Sequence, residues 1–448
     1  MSAAVSAIDG GSPGLRLWAR AFAVGVAVHA ALPDFETEGW GASRWALWLC
    51  AALLFVRPHA LLFATVCALK TYSLLMLRDV LTQSLLLAVW SGVAAVGCAV
   101  GTRASVRRTL DTVRVVAGLT YLLAATHKLN TDFFDPAVSC ADHAARQVAT
   151  LWSLPTLVDS PVLAAGVVLW EVLLGVLVLR RSRWVWPLGL AFHVPLTVTL
   201  APAFGAVMVA GWAAGVAPRE VVLWRRAARG LRRRGLLLAA GLGAAAIEAL
   251  MRAAPDPLAQ GKVVLAGALL AAWPRRAVRP ATRPTDRGAI LVGVVFLAHG
   301  LSPYLGLRMQ HTAAMLSNLR IDPECHNSLV FPALPGPGPY IYMDSIRFGP
   351  GEAGNDLRPE RSRIVRETLW NPTALHVMRE NWCIPELRPI TVVGRWLGRG
   401  FELPDLCAPN ALDALDAGDA LRPGPGFLPG HQAFQKNLPR ACHAACVH

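Results

Sequence analysis

The chain has 448 residues, 54% of them hydrophobic and only 16% charged, against roughly 25% charged in an ordinary soluble domain. Its formal net charge is +14, but residues 303–448 are balanced, with 14 Lys+Arg and 14 Asp+Glu. The excess sits between apolar runs, in "TRASVRR" (102–108), "RRSR" (180–183), "WRRAARGLRRR" (224–234) and "PRRAVRPATRPTDR" (274–287). That is how Lys and Arg distribute in cytoplasmic loops. It reads as membrane topology and excludes nucleic acid as the partner.

The first apolar run, Leu15 to Leu32, lacks the basic n-region and small-residue cleavage site of a signal peptide and reads as a retained helix. From there the chain threads between inner basic loops and outer loops. Helix 1 (about 15–32) goes out to the acidic loop "PDFETEGW", helix 2 (44–56) returns, helix 3 (59–77) goes out, and helix 4 (84–101) returns to the first basic loop. Helix 5 (about 113–128) goes out and ends in "YLLAATHKLNTDFFDP" (121–136). After a long outer loop, helix 6 (161–179) returns, and helices 7 and 8 (184–200 and 203–217) form a hairpin broken near Pro202. Ala/Gly/Leu-rich helices 9 and 10 (235–251 and 262–273) and helix 11 (288–302) complete the path. The spacing thus predicts an all-α polytopic membrane helix bundle over residues 1–302, with about 9–11 transmembrane helices.

Residues 303–448 then form a small, irregular α+β extracytoplasmic region. It is Pro- and Gly-rich, with strand-like runs "YIYMDSIRF" and "RPITVVGRW" and a helix near 360–380. The N-terminus is placed in the cytoplasm, the membrane being the inner one in a bacterial cell. Cys50, Cys67 and Cys98 fall in helices, whereas Cys140, Cys325, Cys383, Cys407, Cys442 and Cys446 all fall on the outer, oxidising side. An even set there points to disulfides, with 15 pairings open to six cysteines. The terminal "CHAACVH" lacks a second ligand pair at zinc spacing, so no metal site is assigned.

Ionisable residues inside apolar helices are expensive and raise a functional-site hypothesis by default. Lysine is scarce: Lys70, Lys128, Lys262 and Lys436, against 39 arginines. Lys128 at the end of helix 5 has a bland reading, a lysine snorkelling to the interface. Yet this chain uses arginine wherever it needs only positive charge. Arginine cannot lose its proton, whereas a buried lysine can. Glu171, mid-helix in "VVLWEVLLG", needs a partner or a proton, and His193, in "LAFHVPL", reads either as a packing histidine or as a third member of a polar core. Lys70 is a fourth candidate or another snorkelling lysine. His29, Glu248 and His299 read as structural.

The same stretches carry a family resemblance. "ATHKLNTDFFDPAVSC" resembles the signature of the HTTM membrane domain, the family that includes vitamin K-dependent γ-glutamyl carboxylase. "LWEVLLGVLVL", "FHVPLTVTLAPAFGAVMVAGW" and "YLGLRMQHTAAMLSNLRIDPECHNSLVFP" resemble the blocks that follow, over about 115–335. The resemblance implies a lyase whose cofactor is reduced vitamin K or menaquinol, with oxygen and carbon dioxide as co-substrates. It makes Lys128 the base that deprotonates the quinol, with Glu171 and His193 in support and His127, Asn130 and Phe133 as cofactor-binding residues. Implied partners are the lipid bilayer, the membrane quinol and a protein or peptide substrate on the outer face.

The chain departs from the family in two places. No histidine lies in "LLMLRDVLTQSLLL" (74–87), and "CHNS" has His before Asn. Those departures motivate a second reading, a non-catalytic quinone- or lipid-binding or scaffold protein. A third is a proton-coupled transporter with Glu171 and His193 as relay, weakened by the absence of an internal repeat.

Overall fold

The computed structural model describes residues 13–31, 41–77, 82–100, 102–152, 160–199, 202–216, 284–305, 314, 316–333, 340–349, 358–370, 375, 378–379, 382–412, 438–443 and 446. Its helices are α1 Pro13–Ala31, α2 Gly41–Val56, α3 Ala60–Leu77, α4 Thr82–Val100, α5 Arg103–His127, α6 Thr131–Phe134, α7 Cys140–Trp152, α8 Pro161–Leu179, α9 Val185–Thr199, α10 Pro202–Ala213, α11 Arg287–Gly300 and α12 Arg358–Glu367. The strands are β1 Ile341–Phe348, β2 Thr368–Trp370, β3 Ile390–Trp396, β4 Arg399–Leu403 and β5 Leu438–Pro439.

The expectation of a polytopic bundle is overturned. Among the described residues one helix, α8, is long and apolar enough to cross a membrane, and the other apolar helical stretches run only 10–17 residues. The physical reason is visible in the chain. The 25-residue α5 carries Arg103, Arg107, Arg108, Asp111 and Arg114 in its first half, and α1 carries Arg16 and Arg20. Apolar runs of this length, read one by one as short spans, overcounted. The expected helices at 235–251 and 262–273 and Glu248 lie outside the described residues.

The chain divides into two compact units, one of residues 1–74, 82–125 and 141–297, the other of residues 75–81, 126–140 and 298–448. In the first, α1 packs against α2 and α10, and α10 against α9 and α4. The core is aromatic: Trp18 lies 5.3 Å from Phe22 and 5.6 Å from Phe63, ring centre to ring centre. Helix α8 starts at Pro161 behind the Ser160 N-cap, whose hydroxyl accepts from Val162 N. It buries Ala164, Val168, Glu171, Leu174, Gly175 and Val178, a row at helical spacing. Helix α5 meets that row through glycine. A Cβ on Gly118 would come within 2.7 Å of Leu179, and one on Gly175 within 2.9 Å of Leu122. The two backbones therefore approach closely, which places Glu171, one turn from Gly175, beside the Tyr121–Leu122 turn of α5.

In the second unit the sequence's two strand-like runs are β1 and β3; of the helix expected near 360–380 only the first part is helical, as α12, because Thr368–Trp370 forms β2 instead. They belong to a five-stranded antiparallel sheet of order β4-β3-β1-β2-β5, with a register shift between Met343 and Ser345 where β1 pairs with β3. Ile341, Met343 and Ile346 of β1 and Ile390 and Val392 of β3 are buried together with Val365, Leu375 and Leu403. The β3–β4 hairpin turns on Leu397 and Gly398, both at positive φ (48° and 77°), the twist a two-residue hairpin prefers. All six cysteines expected outside are paired: Cys140–Cys446, Cys325–Cys442 and Cys383–Cys407. The terminal "CHAACVH" segment therefore has both of its thiols in disulfides.

Candidate functional site

Lys128 follows the last residue of α5, is 5% exposed, and holds its ammonium 5.9 Å from the centre of the Phe133 ring. The turn that carries it is closed by its own sequence. Asn130, in extended backbone at φ −145°, N-caps α6, its Oδ1 accepting from Phe133 N at 2.9 Å. Asn130 Nδ2 donates to His127 O at 2.8 Å and also to Ser317 O. Both amide hydrogens and one oxygen lone pair are thus engaged with the protein itself. This makes Asn130 a positioning residue for the turn. His127 is fully buried, its Nδ1 3.0 Å from the Tyr304 hydroxyl and its ring stacked on Tyr304, which in turn lies 4.0 Å from Phe331.

The second wall of this turn comes from residues 316–329, some 180 positions later. Asn130 bridges Ser328 as an antiparallel pair. Leu329 N donates to Leu129 O at 2.9 Å and Thr131 N to Asn327 O at 3.0 Å. Asn318 clasps the far end, accepting from Cys140 N at 2.7 Å and donating to Val138 O at 2.9 Å. Leu316 and Asn318 both have φ near +55° (54° and 55°). That region is tolerated by Asn but strained for Leu, and such outliers gather at functional turns.

Arg320 sits behind the turn as a buried fork. Its Nε and Nη2 donate to the two oxygens of Asp322 at 2.8 and 3.0 Å, and its Nη1 to Ala441 O at 2.9 Å. Asn327 holds Arg320 N at 2.8 Å and donates to Asn318 O at 2.8 Å. In "CHNS" it is therefore the asparagine that is buried and structural, while His326 is partly exposed. The neighbouring Tyr340 is fully buried, and burial pushes its hydroxyl pKa up. Disulfides 140–446 and 325–442 tie both ends of this arrangement to the C-terminal segment.

Glu171 and His193 belong to the first unit. There His193 Nε2 lies 2.6 Å from the Tyr121 hydroxyl, which also accepts from Trp212 Nε1 at 3.2 Å. Glu171 lies within electrostatic reach of the same hydroxyl. His193 is packed among Phe192, Phe204 and Trp212. The structure thus gathers Glu171 and His193 around Tyr121, a residue the sequence reading passed over. The available signal was a polar-tipped aromatic in an apolar helix, which must find a partner when buried. Lys70 lies with His29 instead, Nζ to Nδ1 at 3.4 Å, both buried.

Family models, curated proteins and solved structures were all compared with this chain, and none matches it.

Proposed function

We propose that this chain is a membrane-attached protein of the HTTM, γ-carboxylase-like type, and that it binds a membrane quinol beside Lys128 for quinol-dependent oxygenation coupled to carboxylation of a glutamate-type acceptor. One observation carries the reading. Two of the four blocks in which the resemblance lies, some 180 residues apart in sequence, fold onto each other through Asn130, Ser317, Asn318, Asn327 and Ser328 in the turn that follows Lys128. The arrangement fits the cofactor's chemistry, because a buried lysine whose amine stands over an aromatic ring suits a flat aromatic diol with an ionisable hydroxyl.

When bound, the quinol supplies that hydroxyl and the electrons by which oxygen is reduced. Quinol, oxygen, carbon dioxide and a glutamate side chain balance as quinone epoxide, carboxylated side chain and water. The protein's own part is to position and to move a proton. Lys128 Nζ accepts the proton of the quinol hydroxyl as general base. Phe133 offers its ring face, and His127, stacked on Tyr304, closes the turn behind it. Asn130 and Asn318 hold the backbone of the turn that carries the amine.

Attachment to the bilayer is supported by α8, whose Val162, Leu169, Val172 and Leu173 are exposed along an otherwise apolar helix. The three disulfides of the second unit support an extracytoplasmic placement for it. The test is made in lipid nanodiscs with menaquinol or reduced vitamin K, oxygen, labelled bicarbonate and a glutamate-rich peptide, following epoxide and label together. Epoxide from wild type that disappears in Lys128→Ala supports the reading.

A second reading, a quinone- or lipid-binding protein without turnover, has its own observation. Asn130 directs its hydrogen bonds into the protein rather than toward a ligand. It predicts quinone binding that weakens in Lys128→Ala, with no epoxide from either protein.

A further inference from the structure

An apolar edge lies beside the Lys128 turn, within the second unit. Leu305, Leu329 and Val330 are 63%, 61% and 47% exposed, and Pro332 and Ala333 are exposed after them. Single exposed apolar residues are ordinary, but a contiguous group marks a surface that meets something apolar. These residues are joined to the structure that carries the amine. Leu329 N donates to Leu129 O at 2.9 Å, and Leu305 directly follows Tyr304, whose ring is stacked on His127. Phe331 is half-buried, its ring centre 4.0 Å from that of Tyr304, and anchors the loop while Leu329 and Val330 stay outward.

Three features favour lipid over protein as the partner. The backbone is already satisfied. Leu329 N is bonded to Leu129 O, Val330 N and Phe331 N both donate to the Ser328 hydroxyl at 3.3 and 3.2 Å, and Pro332 has no N–H. Hydrocarbon offers no acceptor to a free N–H, so only a segment satisfied in this way can enter it. The same bonds leave no row of donors for a partner strand to pair with. Charge is missing too. No Asp, Glu, Lys or Arg lies between Glu324 and Asp344, and charge is what the bilayer interior rejects. Of the acids next to Lys128 in sequence, Asp132 is buried and Asp135 is engaged by Ala137 N. The chain leading to Leu305 has the same character. Helix α11 leaves Ile290, Leu291, Val294, Val295 and Leu297 exposed, with the first four on one helical face.

We propose that Leu305 and the loop Leu329 to Ala333 insert among the acyl chains of a phospholipid bilayer, and that quinol passes from the bilayer to Lys128 along this edge. A membrane quinol is held in lipid by its apolar surface, so the base that serves it needs such a contact at its own turn. The route, though not the lipid contact, rests on the quinol reading above.

The experiment uses the full chain in phosphatidylcholine nanodiscs containing a phosphatidylcholine with a diazirine in its acyl chain. After photolysis, mass spectrometry maps lipid adducts on wild type and on the double variant Leu305→Asp, Val330→Asp. Both side chains are exposed, so the variant folds, and its unfolding curve in detergent checks this. Adducts on Leu329 and Phe331 of wild type that fall about tenfold in the variant support the contact, because a carboxylate is costly among acyl chains. Less epoxide from menaquinol in the variant, with wild-type epoxide from a short-chain quinol supplied in water, supports the route. An equal loss on both quinols overturns the route. Adducts on wild type when no epoxide forms at all support the contact and tell against the quinol reading alone. The proposal is overturned if wild type carries no adduct between Glu324 and Asp344, or if the variant is labelled like wild type. It is overturned also if light scattering shows a wild-type dimer that the variant loses, which would assign the edge to a second copy of this chain.

Discussion

Asn318 holds Cys140 by the backbone: its Oδ1 accepts from Cys140 N at 2.7 Å while its Nδ2 donates to Val138 O at 2.9 Å. One side chain thereby closes the turn after Lys128 and fixes the residue that forms the 140–446 disulfide. Asn318→Ala removes both bonds, leaves a partly buried N–H unmatched and places alanine at φ +55°. A cost of about 2–4 kcal/mol is expected from these effects together. Asn318→Gly relieves the backbone but not the hydrogen bonds, so it falls between alanine and wild type. Denaturant unfolding of the three proteins gives the order, and hydrogen exchange places the loss of protection in residues 126–140.

The Arg320–Asp322 pair predicts non-additivity. Both side chains are nearly inaccessible, at 5% and 0% exposure, and the contact is bidentate. Removing one partner strands a buried charge and costs about 3–5 kcal/mol. Arg320→Met and Asp322→Leu should each destabilise strongly, while the double variant recovers much of the loss. Arg320→Lys should behave like a deletion, because an ammonium cannot reproduce the fork. A double-mutant cycle on unfolding free energies measures the coupling directly.

Tyr121 is expected to matter although little in its sequence context marks it. Tyr121→Phe keeps the ring but removes the group shared by His193 and Trp212. Two buried polar groups then lose their common partner, at about 1–3 kcal/mol. The companion variant His193→Phe should cost less in the Tyr121→Phe background than in wild type, because the bond is already gone.

Asp286 supplies a pH dependence. Burial alone would raise its carboxyl pKa, but the hydrogen bond from Arg108 at 2.9 Å and that from Gly288 N at 2.8 Å outweigh it and hold it below the ordinary value. A depressed carboxyl contributes stability that is fully present above its unfolded pKa and is lost as pH falls through the folded one. Wild type should therefore exceed Asp286→Asn at about pH 6, and the gap should close as pH drops below about 4. Melting curves across that range check both the sign and the window.

Local chemistry was legible in the sequence and long-range partnership was not. The alternation in "YIYMDSIRF" and "RPITVVGRW" marks β1 and β3, and the six cysteines grouped by their place outside the apolar runs are the six that pair. Lys128 stands out by its rarity and by its place at a helix end, and the structure buries it there. What the sequence hides are partners such as Asn130 and Ser317, or Tyr121 and Trp212, which are joined only by folding. It hides equally that Asn130 turns its amide inward, because an asparagine after a lysine reads the same whether it caps a helix or binds a ligand. The overcount of membrane spans has a related cause. An apolar run of a dozen residues has the same composition in a short core helix and in part of a span, and only α8 among the described helices combines the length of a span with an unbroken apolar composition.

The most direct test of the account is epoxide formation by Lys128→Arg in nanodiscs with menaquinol or reduced vitamin K and oxygen, beside wild type. Arginine keeps a long side chain that can reach the Phe133 ring, so the fold should be retained, but it cannot serve as a base. The account predicts epoxide from wild type and at least a hundredfold less from Lys128→Arg, the scale on which general base catalysis contributes. Epoxide from Lys128→Arg at the wild-type rate would contradict it.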